Sequence, residues 1–276
     1  MAIMPSFLSF MVDEYLKPLN PESPPDVLIL DTLVFLSRIL CHQRVKIIGP
    51  GIEMFPNLYG ITFLPSGAGK DRPLSHLTKA FNDVFESQRR EYIVFRNDQE
   101  ELLRKEAEDR GIGKGKQVEF IEKNRSCDLT DEIQNGTVEG IAAVGAAFTR
   151  AGFGSLHFAN SEFIDFIQAK KDDKLMLISH FKDVYEEGTN KIKAIKGEKT
   201  FYYVSHVPHT MLVHSSLAGL LRKEEENQEL SDFLNRGLGR RSLVCYPEKF
   251  FFFERQTAED MRKKMEQAEQ AKAHIS

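Results

Sequence analysis

The residues from Leu58 to Pro73, Leu-Tyr-Gly-Ile-Thr-Phe-Leu-Pro-Ser-Gly-Ala-Gly-Lys-Asp-Arg-Pro, have the types and spacing to hold phosphate. An apolar run enters a Gly-rich turn that closes on Gly-Lys. Gly67 and Gly69 allow successive backbone N–H groups to turn inward, a helix N-terminus behind them adds positive potential, and Lys70 supplies a point charge for outer phosphates. Pro65, Ser66, Gly67, Ala68, Gly69, Lys70, Asp71 and Arg72 are therefore expected to line a bound nucleotide. The full pattern has Gly where Leu64 stands. It has Ser or Thr where Asp71 stands, and that hydroxyl would hold Mg²⁺, so Asp71 is expected to act as a metal ligand in its place.

A second chemical group lies further along. The apolar stretch Gly152 to Phe158 runs into Ala159-Asn-Ser-Glu162, and a strand that ends in a carboxylate is what a nucleotide hydrolase needs beside its phosphate loop. Glu162 fits the group that activates the attacking water, and is also an expected metal ligand. The acid on the metal side is replaced by Asn160 or Ser161. Thr200 to Val204 reads as a third core strand, which would carry Ser205 or His206, with His209 nearby, towards the outer phosphate. Arg236, Arg240 and Arg241 cluster before a last strand, Ser242 to Tyr246, where a guanidinium could reach phosphate in the same or a neighbouring subunit. The eight histidines show no metal-ligand spacing.

These groups need a scaffold, and periodicity supplies one. Leu74, Leu77, Phe81, Val84 and Phe85 recur at helical spacing behind Pro73, so strand, turn and helix stand in the order that a phosphate loop requires. Val27 to Leu40 is an apolar helix expected to be buried, after a helical segment from Phe7 to Leu16 and a Pro-rich connection. Glu86 to Arg110 is a charged, solvated helix or helical hairpin, ended by the basic loop Gly111 to Lys116. Thr137 caps a small-residue helix from Val138 to Arg150, and helices follow at Phe163 to Lys170 and Lys174 to Glu186. The expected fold is α/β, a P-loop NTPase with three α/β/α layers, a mainly parallel sheet, and extra N- and C-terminal helices. Its expected divisions are an N-terminal helical preamble (1–52), a core (53–248) with a charged insertion at about 86–130, and a helical tail (249–276).

Composition is that of an ordinary globular protein: 276 residues, 41% hydrophobic and 28% charged, with a net charge of −4 that argues against a wholly basic nucleic-acid-coating surface. The chain shows no apolar run of membrane length and no basic leader, so a cytoplasmic protein is expected. Cys41, Cys127 and Cys245 are too scattered for a disulfide framework and read as buried thiols.

Taken as a whole, the order Pro56-Asn-Leu-Tyr59, Pro-Ser-Gly-Ala-Gly-Lys, Gly-Thr-Val-Glu-Gly140, Ser161-Glu162 and Phe233-Leu-Asn-Arg236 resembles an uncharacterised family of P-loop ATPases of phages, plasmids and mobile elements. Its members are associated with primases and look like RecA or hexameric-helicase ATPases. The resemblance covers about residues 20 to 248. It implies ATP and Mg²⁺ as ligands, matches Gly67, Gly69 and Lys70 to the phosphate loop, Thr137 and Glu139 to a helix start, Glu162 to the acidic motif and Arg236 to the final arginine. It further implies an ATP-driven helicase-type subunit acting on nucleic acid, single-stranded DNA above all, as a homo-oligomer such as a hexameric ring, with a primase as partner. The alternatives are a small-molecule (nucleotide) kinase and a nucleotide-binding loader or scaffold without turnover. A GTPase is disfavoured, because its guanine-reading Asn-Lys-x-Asp would have to be Asn190-Lys-Ile-Lys193, whose last residue has the wrong charge.

Overall fold

A computed structural model of the protein describes residues 6–64, 69–130, 132–134, 137–160, 171–187, 189–193, 201–215 and 234–246, with single helical positions at 263, 266, 267 and 270. Among these residues the main sheet has four strands in the order β4-β7-β3-β8. They are β3 (Tyr59–Phe63), β4 (Leu156–Asn160), β7 (His209–Ser215) and β8 (Ser242–Cys245). Every pairing is parallel: β3 with β7, β3 with β8, and β4 with β7. Parallel strands are buried on both faces, and β3, β4 and β7 are buried at every position.

Alternation along β3 separates two cores. Tyr59, Ile61 and Phe63 join Met211 and Val213 of β7 in a cluster with α7 (Val138–Ala151) and α8 (Lys171–Glu187), through Ile141, Phe148, Ile178 and Phe181. The opposite face packs on α3 (Pro25–His42), where Leu30 and Val34 meet Leu212 and Leu64. Gly60 is required at this contact. A Cβ there would lie 2.9 Å from Val34 Cγ2 and 3.0 Å from a Leu212 methyl, so only glycine lets helix and strand approach this closely. The fold is therefore α/β with helices on both faces of a parallel sheet, compatible with three α/β/α layers.

The N-terminal segments α1 (Ser6–Ser9), a π-helical stretch at Phe10–Leu16, and α2 (Lys17–Leu19) cover the outer side of α3. Met11, Leu16, Leu28, Phe35, Leu77 and Phe85 form this third cluster with α4 (Arg72–Ala80) and α5 (Asn82–Asp109). After α3 the chain turns through Arg44, a non-glycine residue at φ +50. Its guanidinium donates to the carbonyls of Phe148, Phe153 and Gly154 at 2.8, 3.2 and 3.1 Å, and so satisfies the carboxyl end of α7. A hairpin of β1 (Ile47–Gly49) and β2 (Ile52–Met54) follows, and the charged segment after α4 is a helical hairpin of α5 and α6 (Lys114–Asn124).

Three sequence expectations change. The basic stretch expected to be a loop from Gly111 to Lys116 already enters α6 at Lys114, because Gly113 takes the extended conformation that starts the helix. The stretch Thr200 to Val204 is not a core strand: β6 (Phe201–Val204) pairs antiparallel with β5 (Asn190–Lys193) in a separate two-stranded sheet. The core position it was expected to fill belongs to β7. Cys127 is exposed, whereas Cys41 and Cys245 are buried. The expected helix Phe163 to Lys170 and nearly all of the tail after 246 lie outside the described residues.

Several histidines are built into this core as neutral groups. Burial lowers His180 to about 3 and His209 to about 4, and it lowers His157 well below its ordinary value. Each stays unprotonated in the fold while the unfolded chain binds a proton below about pH 6.5, so stability present above that pH is lost as the solution is acidified towards the folded values. Asp31, pushed up by burial, opposes in sign the contribution of His214, pushed down to about 4. The urea midpoint is therefore expected to fall between pH 6.5 and 5, by up to about 1.4 kcal/mol per pH unit for each of His157, His180 and His209. His180→Gln should remove about a third of that slope. An unchanged midpoint over this range would show that these rings are not held neutral.

Candidate functional site

A parallel sheet carries all its strand ends of one sense to one edge, and ligand crevices form at the carboxyl edge where neighbouring connections diverge. Here β3 is that point: β7 lies on one side and β8 on the other. Register brings Thr62 level with His214 on β7 and Cys245 on β8, on the face that meets α3. Just beyond, the Leu64 N–H donates to the Ser215 carbonyl at 2.8 Å, which fixes the exit of β3 against β7. Pro65, Ser66, Gly67 and Ala68 lie outside the described residues.

The chain is described again at Gly69, whose φ of +67 is the left-handed backbone that glycine adopts at no steric cost. The Arg72 N–H donates to the Gly69 carbonyl at 3.0 Å, and α4 starts there with Asp71 as its N-cap and Pro73 in the first turn. The Asp71 side chain makes no capping hydrogen bond. It is exposed, while Lys70 is half-buried. Arg72 pairs with Glu22 of the N-terminal loop at 2.6 Å; with Arg72 mostly in water this contact contributes well under ~1 kcal/mol. The turn thus brings a left-handed glycine and a lysine to the N-terminus of a helix, an arrangement suited to an anion.

Behind the turn is a set of buried polar groups. Asp31 of α3 is fully buried, and its Oδ1 lies 3.7 Å from Nε2 of the equally buried His214. No polar atom of either side chain has a hydrogen-bond partner among the described residues, and the same holds for Thr62 Oγ1 and Ser215 Oγ. Burial raises Asp31 well above the carboxylate range, with the Asp71 charge adding to it. Burial likewise lowers His214, with Lys70 adding to it. The separation would suit an ion pair, yet both influences favour neutral groups. We assign a neutral pair, because 3.7 Å is too long for the hydrogen bond that would be needed to offset the burial of two charges.

The predicted site residues divide by position. Gly69, Lys70, Asp71 and Arg72 come together at the carboxyl edge, and Asn160 ends β4 at that same edge, where its side chain donates to the Gln134 carbonyl at 3.2 Å. Ser205 is not there. It precedes β7, its N–H is bonded to Thr149 Oγ1 of α7, and it lies at the amino edge, one strand length from the turn. Arg240 and Arg241 also sit at the amino edge, directly before Ser242, which pairs with Tyr59 at the start of β3. Arg241 donates to the Gly237 carbonyl at 3.1 Å and lies 5.8 Å from the Tyr185 ring, whereas Arg240 is exposed. A phosphate at the Gly-Lys turn of the same subunit is out of reach of both. The backbone of Arg236 lies in the Leu234–Leu238 turn, and Glu162 and Ser161 are outside the described residues. Sequence reasoning missed Asp31, Thr62, His214 and Ser215. The signal available was the apolar run Met211 to Val213 ending in His-Ser.

No protein-family model matches this chain, and no curated protein sequence does either. Among the described residues no helix is long and apolar enough to cross a membrane, and no three His, Cys, Asp or Glu residues are grouped to hold a metal ion.

Gly69→Ala tests the turn directly. A Cβ at this φ is strained, although the nearest atom it meets, Arg72 Cδ at 3.4 Å, is tolerable. The expected cost is about 1 kcal/mol in chemical denaturation, with the strain falling on the start of α4. A fully neutral substitution would show that the turn is not held in this conformation.

Proposed function

We propose that this chain binds and hydrolyses ATP at the Gly-Lys turn and works as a helicase-type motor on single-stranded DNA, as a homo-oligomeric ring, with a primase as a replication partner. The observation that carries the reading is the sheet order. The strand leading into Gly69-Lys70 and the strand leading towards Glu162 are parallel, one strand apart, and end at the same edge. In that order, a triphosphate held at the turn would lie beside the strand that leads towards the carboxylate expected to activate water.

The residues fit the ligands that the reading needs. Lys70 and the N-terminus of α4 would face the phosphates, and the exposed Asp71 carboxylate would be a hard oxygen donor for Mg²⁺, as Glu162 would be. When bound, Mg²⁺ would draw charge from the phosphate oxygens. The protein's own part is to orient the phosphates on Lys70 and to take a proton from water at Glu162. Arg240, exposed at the amino edge, would in this reading act on the site of a neighbouring subunit in a ring.

The test is ATP hydrolysis with and without single-stranded DNA and with nucleoside monophosphates as acceptors, alongside mass determination with and without ATP. Lys70→Ala is expected to weaken ATP binding by more than ~2 kcal/mol, since it deletes the charged partner of the outer phosphates. Glu162→Gln should retain binding and slow hydrolysis about 100-fold. DNA-stimulated hydrolysis supports the motor, phosphoryl transfer to a monophosphate would make the chain a kinase, and binding without turnover would make it a loader. Unchanged ATP affinity in Lys70→Ala would refute the site.

A further inference from the structure

Asp31 and His214 are two fully buried titratable groups, 3.7 Å apart, on different layers of the molecule, with no polar atom of either hydrogen-bonded among the described residues. Buried polar groups are ordinarily satisfied. A further unsatisfied hydroxyl, that of Thr62, stands level with His214 across the strand pair. The cluster lies directly behind the turn that begins α4, and the charges of that turn reach it. Lys70 acts on His214, and Asp71 acts on Asp31.

We infer that Asp31 and His214 share one proton whose position reports whether an anionic phosphate occupies the Gly-Lys turn. This deepens the proposed ATP site and rests on it. Without phosphate, the Lys70 ammonium disfavours an imidazolium at His214, and the Asp71 carboxylate disfavours a second carboxylate at Asp31. Both push the proton onto the Asp31 carboxyl. A phosphate paired with Lys70 cancels the first influence and adds negative potential that favours the imidazolium, while a cation at Asp71 cancels the second. The Asp31 O–H bond then breaks and an N–H bond forms at His214 Nε2, leaving carboxylate and imidazolium. No electron moves, and no proton is exchanged with solvent.

Transfer also requires contact. The pair must close from 3.7 Å to about 2.8 Å, a charge-assisted hydrogen bond, which draws α3 towards the tip of β7. Among the described residues, Cys245 of β8 also lies near Asp31. The Cys245 thiol is pushed up to about 11 by burial and by Asp26 and Asp31, so it stays protonated and does not compete for the proton. Because the pair gains no net proton, the change at His214 should occur without proton uptake from solvent.

The experiment is NMR of ¹⁵N-histidine-labelled full-length protein, with His214 assigned from the His214→Gln spectrum, before and after a non-hydrolysable ATP analogue with Mg²⁺, and with inorganic tripolyphosphate. Binding is followed in parallel by calorimetry. The expected result is a neutral ring at His214 that becomes an imidazolium with either ligand, and loss of the protonated-carboxyl stretch in difference infrared spectra. Asp31→Asn should keep His214 neutral with the analogue bound and weaken analogue binding about tenfold. If that variant does not fold, the infrared band of the unaltered protein decides the matter. Analogue binding with an unchanged His214 ring and an unchanged carboxyl band would overturn the proton-sharing pair while leaving the ATP site standing. No binding of any nucleotide would overturn both.

Discussion

The close approach of α3 to β3 at Gly60 sets the terms for everything else. A parallel strand must be covered on both faces, and α3 is the cover on one of them. With two side-chain atoms within 3.0 Å of where a Cβ would stand, the helix cannot shift outward without opening the core behind the turn. That contact fixes where Asp31 meets His214, and through the row Thr62, His214 and Cys245 it fixes the floor beneath Gly69 and Lys70. The N-terminal helices are thus part of the core, and Arg44, just after α3, is bonded to the carbonyls of Phe148 in α7 and of Gly154 beyond it.

Electrostatics at the carboxyl edge is balanced in pairs. Lys70 is followed by Asp71, Arg72 is paired with Glu22, and the buried Asp31 faces a histidine. Each cation near the turn has an acid close by, so the local charge is small although the charge density is high. Such a site discriminates by geometry more than by net attraction, because a ligand must realign several opposed charges to gain energy.

Much of this was legible in the residues. Pro73 with its helical spacing announced α4, Thr137 with the small residues after it announced α7, and the apolar Tyr59 to Phe63 announced β3. The failure was at β7. Its sequence, His-Thr-Met-Leu-Val-His-Ser, has a polar residue at both ends and only three apolar ones in the middle, whereas Thr-Phe-Tyr-Tyr-Val at 200–204 is rich in β-formers. Propensity chose the second and tertiary structure chose the first, because the polar ends of β7 are met by partners far along the chain. The Asn57 side chain accepts from the His209 N–H, and Asp31 lies opposite His214. Once the strand is reassigned, Ser205 moves to the wrong edge. Arg240 and Arg241 stand at the amino edge, away from the Gly-Lys turn of the same subunit, and a sequence does not state at which end of its strand a cluster stands relative to a distant loop.

The helical hairpin has a mechanical meaning. α5 follows α4 after the single residue Phe81, so the element that starts at Lys70 runs with one break into a rod of 28 residues. Phe85, Gln88 and Tyr92 seat its first turns in the body of the protein, and Phe95 packs edge-on against Phe153. The 17 residues from Ile93 to Asp109 extend for about 25 Å, stiffened by the return of α6 and by Arg125 bridging Glu100 and Asp128. A rod pivoting near its base multiplies displacement by its length: a tilt of about 10° moves the far end by roughly 4 Å. Small adjustments where α4 begins are therefore magnified at a surface remote from it, and the leverage comes from the covalent continuity of the two helices.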